Sequence, residues 1–174
     1  MARGPIRLTG RESPFGEEDI IVSKTDPVGR ITYANDVFCR VSGYALAELL
    51  GKPHSIIRHP DMPRCAFKLC WDTLKSGNEF FAYVLNAARN GDHYWVYAHI
   101  TPSHDANGAL VGYHSNRRKP AASQVVKIAE IYRELLRIER AAPDSNRGMA
   151  EAFARLQEIL RQEGVTYDKF VWTL

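Results

Sequence analysis

Between Gly77 and Asn116 the hydrophobic period is two, and helical periods bracket it on both sides. Phe80 to Asn86 and Tyr94 to Thr101 alternate as strands do, and the Asn90-Gly91 pair between them is a hairpin signal. A third strand, Ala109 to Asn116, follows the turn at Asp105-Ala106-Asn107-Gly108. Upstream, Asp19 to Ser23 and Arg30 to Ala34 read as a hairpin around Asp26-Pro27-Val28-Gly29. Asn35 or Asp36 then caps a short helix that carries Val37, Phe38 and Val41 and ends at Gly43. Residues 44–76 are short helical pieces broken at Gly51-Lys52-Pro53, His59-Pro60 and Met62-Pro63. Two strands, a helical block and three strands make an α+β domain, an antiparallel sheet with helices gathered on one face.

The rest of the chain sorts around this core. Residues 1–16, rich in Gly, Pro and Arg, read as a flexible arm, residues 17–118 as the domain and 119–174 as a helical extension. In the extension Val125, Ile128, Tyr132 and Leu135 form one helical stripe. Met149, Phe153, Leu156 and Leu160 form a second, after the break at Ala142-Pro143. Both stripes are wide, so each helix packs on its neighbour, on the domain or on a second copy. The aromatic tail at 167–174 is apolar enough to dock on a partner or back on the sheet.

Composition removes several function classes. With 23 Lys and Arg against 20 Asp and Glu, the charge of +3 is too small and scattered for nucleic acid. No apolar run approaches the ~18 residues of a membrane span, and no signal peptide follows the N-terminus. Three cysteines without a CxxC exclude a disulfide framework or zinc ribbon and point to reduced thiols in the cytoplasm. No phosphate-binding loop, nucleophile elbow or H-E-x-x-H motif is present, so neither catalytic residues nor an enzyme, nor a metal, is expected.

Two groups of residues carry chemistry. Phe80, Ala82, Val84 and Asn86 share one strand face, which puts an amide into an apolar row. If that face is interior, Asn86 must meet backbone or the polar edge of a ligand, since an unpaired buried amide costs about 1–3 kcal/mol. On the next strand Tyr94, Val96, Ala98 and Ile100 are the better core row, and Ala98 leaves room for a cavity. The opposite row, His93, Trp95, Tyr97 and His99, calls for a covering helix or partner. The second group is His54 to Asp61, with two imidazoles, a guanidinium and a carboxylate in eight residues. Arg58 offers a fork for phosphate, and Asp61 is placed to cap the following helix, whose N-terminus favours an anion. The alternative is an Arg58–Asp61 pair that fixes a loop between ordinary surface histidines.

The stretch from Asp19 to Arg117 resembles a PAS sensor domain. Three pieces in it are similar to the PAS domain of bacterial aerotaxis receptors. These are Ile31-Thr32-Tyr33-Ala34-Asn35-Asp36-Val37-Phe38 to Tyr44, Gly51-Lys52-Pro53-His54 through His59-Pro60-Asp61-Met62-Pro63, and Asn86 with Arg89-Asn90-Gly91-Asp92-His93-Tyr94-Trp95-Val96. The resemblance implies a five-stranded antiparallel sheet whose concave face, roofed by short helices, holds FAD non-covalently and is read by its redox state. The positions it implies for the flavin are Asn35, His54, Arg58, His59, Asp61, Phe67 and Asn86. Phe80 stands where the family carries Trp, a smaller aromatic surface without an N–H. His114 lies where light-sensing relatives place a flavin-contacting Gln. Cys65 lacks the sequence context of their photoreactive cysteine. Some PAS oxygen sensors bind haem, which makes His54 or His59 an alternative axial ligand.

The function so implied is cytosolic redox or oxygen sensing by a homodimer. Its output passes through the flanking helices to a histidine kinase, a chemotaxis protein or another regulator in trans. The competing reading is a cofactor-free PAS dimerisation or adaptor module.

Overall fold

The computed structural model describes residues 7–174. Its centre is a five-stranded antiparallel sheet of β1 (Ile21–Thr25), β2 (Ile31–Ala34), β3 (Phe80–Ala87), β4 (His93–His104) and β5 (Leu110–Arg118). The spatial order is β2-β1-β5-β4-β3. Between the strand groups lie α1 (Asp36–Ser42), α2 (Leu46–Leu49), a 3₁₀ turn (His54–Ile57) and α3 (Arg64–Lys75). The chain closes with α4 (Ala122–Ala141), α5 (Ser145–Gln162) and α6 (Tyr167–Thr173). The α+β class and the five strands are those expected.

Local chemistry explains the main boundaries. Asn35 caps α1 by accepting from the Phe38 N–H at 3.0 Å, and Gly43 ends the helix in the left-handed region. Gly112 has φ +154, and a Cβ there would lie 1.9 Å from the Thr25 carbonyl oxygen. Only glycine lets β5 enter beside β1 at that point. The register that follows pairs Tyr113 with Thr25, Ser115 with Ser23 and Arg117 with Ile21. All three β5 residues therefore face inward.

The sheet has two differently filled faces. Inside, Phe15, Ile21, Ile31, Phe38, Val41, Tyr94 and Val96 pack as one cluster. Outside, the aromatic row of β3 and β4 is covered by this chain's own extension. Trp95 stacks on Tyr132 of α4 at 6.2 Å, and Trp172 of α6 meets Phe81 at 5.3 Å and Tyr97 at 6.1 Å. Alpha-helix α5 lies against α4 and α3, with Lys68 above the Phe153 ring at 4.9 Å. The tail expected to dock does so as a third helix.

Two expectations need correction. The described part of the N-terminal arm, 7–16, is not loose. Thr9 and Ser13 donate to the Gly91 and His93 carbonyls, His93 donates back to Arg11, and Phe15 is buried in the inner cluster. The backbone of the β3–β4 hairpin gives the arm a pairing partner, which its composition does not reveal. Residues 1–6 lie outside the described residues. Asp61 does not cap α3 either. The Glu139 carboxylate of α4 does, accepting from the Arg64 and Cys65 N–H groups at 3.0 and 2.9 Å.

Candidate functional site

The inner face of the sheet encloses a cavity of about 370 Å³. That is near the lower end of the ~300–1,000 Å³ of ligand pockets and suits a ring-sized group. Val84, Ala98 and Ile100 form its floor, and Phe67, Cys70, Trp71 and Leu74 of α3 form one wall. The exposed Val28, Pro53, Ser55 and Arg58 mark its opening. Ala98 supplies the room expected of it. Cys70 is a wall residue the sequence reading passed over; burial pushes its thiol up to about 12, which keeps it protonated.

Polar groups enter this apolar chamber at three places. Asn86, 3% exposed, lines it, and its Nδ2 has no hydrogen-bond partner. Arg58 sits with its guanidinium 3.7 Å above the Phe67 ring, and its backbone bridges to Asn86. Partial desolvation of its guanidinium and the nearby Arg64 lower its pKa from the ordinary value. The third place joins His54, Ser23 and Arg117. His54 Nε2 lies 3.1 Å from Ser23 Oγ and 3.4 Å from Arg117 Nη1, while Arg117 Nη2 donates to Ser23 Oγ. Burial and the Arg117 cation push the His54 imidazole down to about 3, so it is neutral at pH 7.

Of the expected site residues, the structure brings His54, Arg58, Phe67 and Asn86 together in the cavity. It uses the other five elsewhere. Asn35 is spent on backbone, accepting from Val22 and Phe38 and donating to Ile20. His59 is buried outside the cavity, with Nδ1 accepting from the Asp61 N–H. Asp61 pairs with Arg140 of α4 at 2.8 Å and not with Arg58. The 5.2 Å stack of Phe80 on Tyr167 of α6 is nearly parallel, at 4°. His114 faces the outer side between Lys24 and Thr101, because the Gly112 register turns Ser115 inward in its place.

Among the polar groups of the cavity, Arg117 is the charged residue that the sequence does not announce. It lies one residue past the expected strand Ala109 to Asn116, in a basic run where arginines normally reach solvent. Strand parity was the available signal, since Tyr113, Ser115 and Arg117 share one face. The N-terminus of α3, expected to favour a ligand's diphosphate, is already occupied by Glu139.

Among the described residues there is no group of three or more His, Cys, Asp or Glu placed to hold a metal. No helix there is long and apolar enough to cross a membrane.

Comparison with known proteins agrees with this architecture. The aerotaxis receptor of Escherichia coli K12 is 41% identical over 128 residues, which is 74% of this chain and 25% of the receptor. The nitrogen fixation regulatory protein of Klebsiella pneumoniae is 32% identical over 111 residues, 64% of this chain and 22% of that protein. The chain thus spans about a quarter of the length of these relatives. A solved structure from work on light-oxygen-voltage domain mechanism with a flavin analogue superposes with a TM-score of 0.57 at 23% identity, over 66% of this chain and 86% of that one. A family model described as PAS fold matches residues 31–117, half of the chain, and the chain belongs to the PAS family.

Proposed function

We propose that this chain is a redox- or oxygen-sensing PAS module that binds FAD non-covalently. The observation that carries the reading is the Asn86 amide, buried, without a partner for Nδ2, and set in a ring-sized apolar cavity. A heterocycle edge with adjacent C=O and N–H groups satisfies both ends of an amide, and an aliphatic ligand does not. Phe67 and Trp71 supply aromatic walls, and Arg58 at the opening supplies a guanidinium for phosphate outside the chamber. Bound there, a flavin supplies reversible electron uptake coupled to protonation. The chain's own part is to hold the ring edge, keep water from it and pass on any shift of the wall.

The wall has a route outward. Helix α3 lines the cavity with four side chains, and Glu139 of α4 holds its first turn. Arg140 of α4 ties down Asp61 just before it. A displacement of α3 must therefore be followed or broken by α4. A signalling partner such as a histidine kinase or chemotaxis protein, or the other half of a homodimer, reads that change. The 41% identity to an aerotaxis receptor supports a signalling role of this kind.

A visible spectrum of the purified protein tests this. A flavin spectrum is expected, with FAD released on heating when run against FAD, FMN and haem standards. Asn86→Ala and Arg58→Ala are expected to lower flavin retention while circular dichroism stays that of the folded domain. Full occupancy in both variants would discard the site. A protein that stays colourless with excess FAD would leave the cofactor-free interaction module, which the Phe80–Tyr167 stack favours. A Soret band would move the site to His54 and haem.

A further inference from the structure

Arg117 is 3% exposed, lines the cavity, and has no ion pair among the described residues. Its Nε is buried without a hydrogen-bond partner. Its neighbours are the Ser23 hydroxyl, the uncharged His54 imidazole, the face of Phe38, 4.7 Å from the guanidinium carbon, and the neutral Tyr94 phenol, whose hydroxyl is itself buried without a partner. Hydroxyl, imidazole and ring quadrupole orient a cation without neutralising it. A buried charge left uncompensated costs several kcal/mol, and a hydrophobic residue of the same size would serve the fold at least as well. The arginine is therefore explained by something that enters the cavity.

We propose that Arg117, positioned by Ser23 and His54, is an anion-binding subsite in the cavity wall, and that the cavity takes a planar organic anion. The aromatic and aliphatic walls select the flat apolar body, and the guanidinium selects the charged end. This assignment stands apart from the flavin reading, which is carried by Asn86 and Arg58. It adds a requirement to it: any ring bound here must turn an acidic or strongly accepting edge toward Arg117. Burial lowers the Arg117 pKa to about 10, which still leaves the cation intact at pH 7.

The test uses the flavin-free 174-residue chain with benzoate and its neutral isostere benzamide as probes, read by calorimetry and thermal melting. Benzoate is expected to bind and raise the melting temperature, with benzamide at least tenfold weaker. Arg117→Met should bind benzoate at least tenfold more weakly, Arg117→Lys should retain part of the affinity, and Arg161→Ala, on the exposed side of α5 and outside the cavity, should stay within twofold of wild type. Without ligand, Arg117→Met should melt no lower than wild type. Equal binding of benzoate and benzamide, or no benzoate binding at all, would overturn the subsite on the wild-type protein alone. So would unchanged affinity in Arg117→Met, or a large drop in its melting temperature, which would make Arg117 a structural residue. A colourless protein that discriminates benzoate from benzamide would retire the flavin and keep the subsite.

Discussion

The two faces of the sheet differ in which buried polar groups they leave unpaired, a hydroxyl outside and, inside, an amide and a charge beside a hydroxyl. On the outer face the ties between the sheet and the helices are closed: Tyr132 donates to the Tyr83 carbonyl at 2.7 Å, Tyr83 reaches the Val171 carbonyl at 3.4 Å, and Glu139 takes up two orphan N–H groups of α3, although the Tyr97 hydroxyl is buried there without a partner. On the inner face the Asn86 amide nitrogen, the Arg117 guanidinium Nε and the Tyr94 hydroxyl are buried without a hydrogen-bond partner. Stability argues for the first arrangement and against the second. The inner face therefore keeps groups that the fold by itself does not use. Such groups become an advantage only when a ligand completes them.

The contrast can be broken most forcefully from outside. Leu135 of α4 is fully buried in the cluster that joins α3, α4, α5 and the outer row of β3. Leu135→Ala should lower unfolding free energy by about 2–5 kcal/mol, as core truncations do, measured by urea denaturation. A loss under ~1 kcal/mol would mean that the helical layer is a loosely held appendage.

Acid titration of the inner face comes next. The folded His54 pKa of about 3 lies far below the unfolded value near 6.5, so below pH 6.5 the unfolded chain binds a proton that the folded chain refuses. Stability should fall as pH drops from 6.5 toward 3, with a slope of at most about 1.4 kcal/mol per pH unit from this group. Burial lowers the His59 and His114 values in the same direction. His54→Gln should flatten the curve between pH 6 and 4.5, above the range where Asp19 and Asp92 titrate. An unchanged slope would place the acid sensitivity elsewhere.

The smallest expected effect is the most diagnostic. Asn86→Leu removes an unsatisfied amide from an apolar row, so stability should stay within about 1 kcal/mol of wild type or rise, while flavin retention falls. A clear loss of stability would show that Asn86 holds the strand end and not a ligand.

Much of this layout was legible because period, turn residues and caps act locally. The Asn90-Gly91 hairpin, the Asn35 cap and the inward row of β3 are each set within a few residues. The site was half legible for the same reason: Asn86 and Ala98 follow from parity alone. Long-range contacts account for the rest. Nothing near Asp61 in the sequence announces that Arg140 will claim it, or that Glu139 will cap α3 from 74 residues away. Likewise the displacement of His114 by Ser115 depends on one glycine meeting the Thr25 carbonyl across a strand pair. Arg117 was hidden by a sound rule about where arginines go, and the exception is the informative part.

The contacts along β3 have one more effect. This strand ends the sheet, and three ligations occupy its open side: the Tyr132 hydroxyl on the Tyr83 carbonyl, the Met62 thioether 3.2 Å from the Leu85 N–H, and the Arg58 backbone at Asn86. At the opposite border the residues around Gly51 and Lys52 do the same for Ile31. A sheet with both borders sealed cannot recruit a foreign strand. If α4 lifts away, the Tyr83 carbonyl is uncovered and β3 begins to offer a template for strand addition. Helix release and self-association are then two faces of a single event, whether it serves a partner or ends in aggregation.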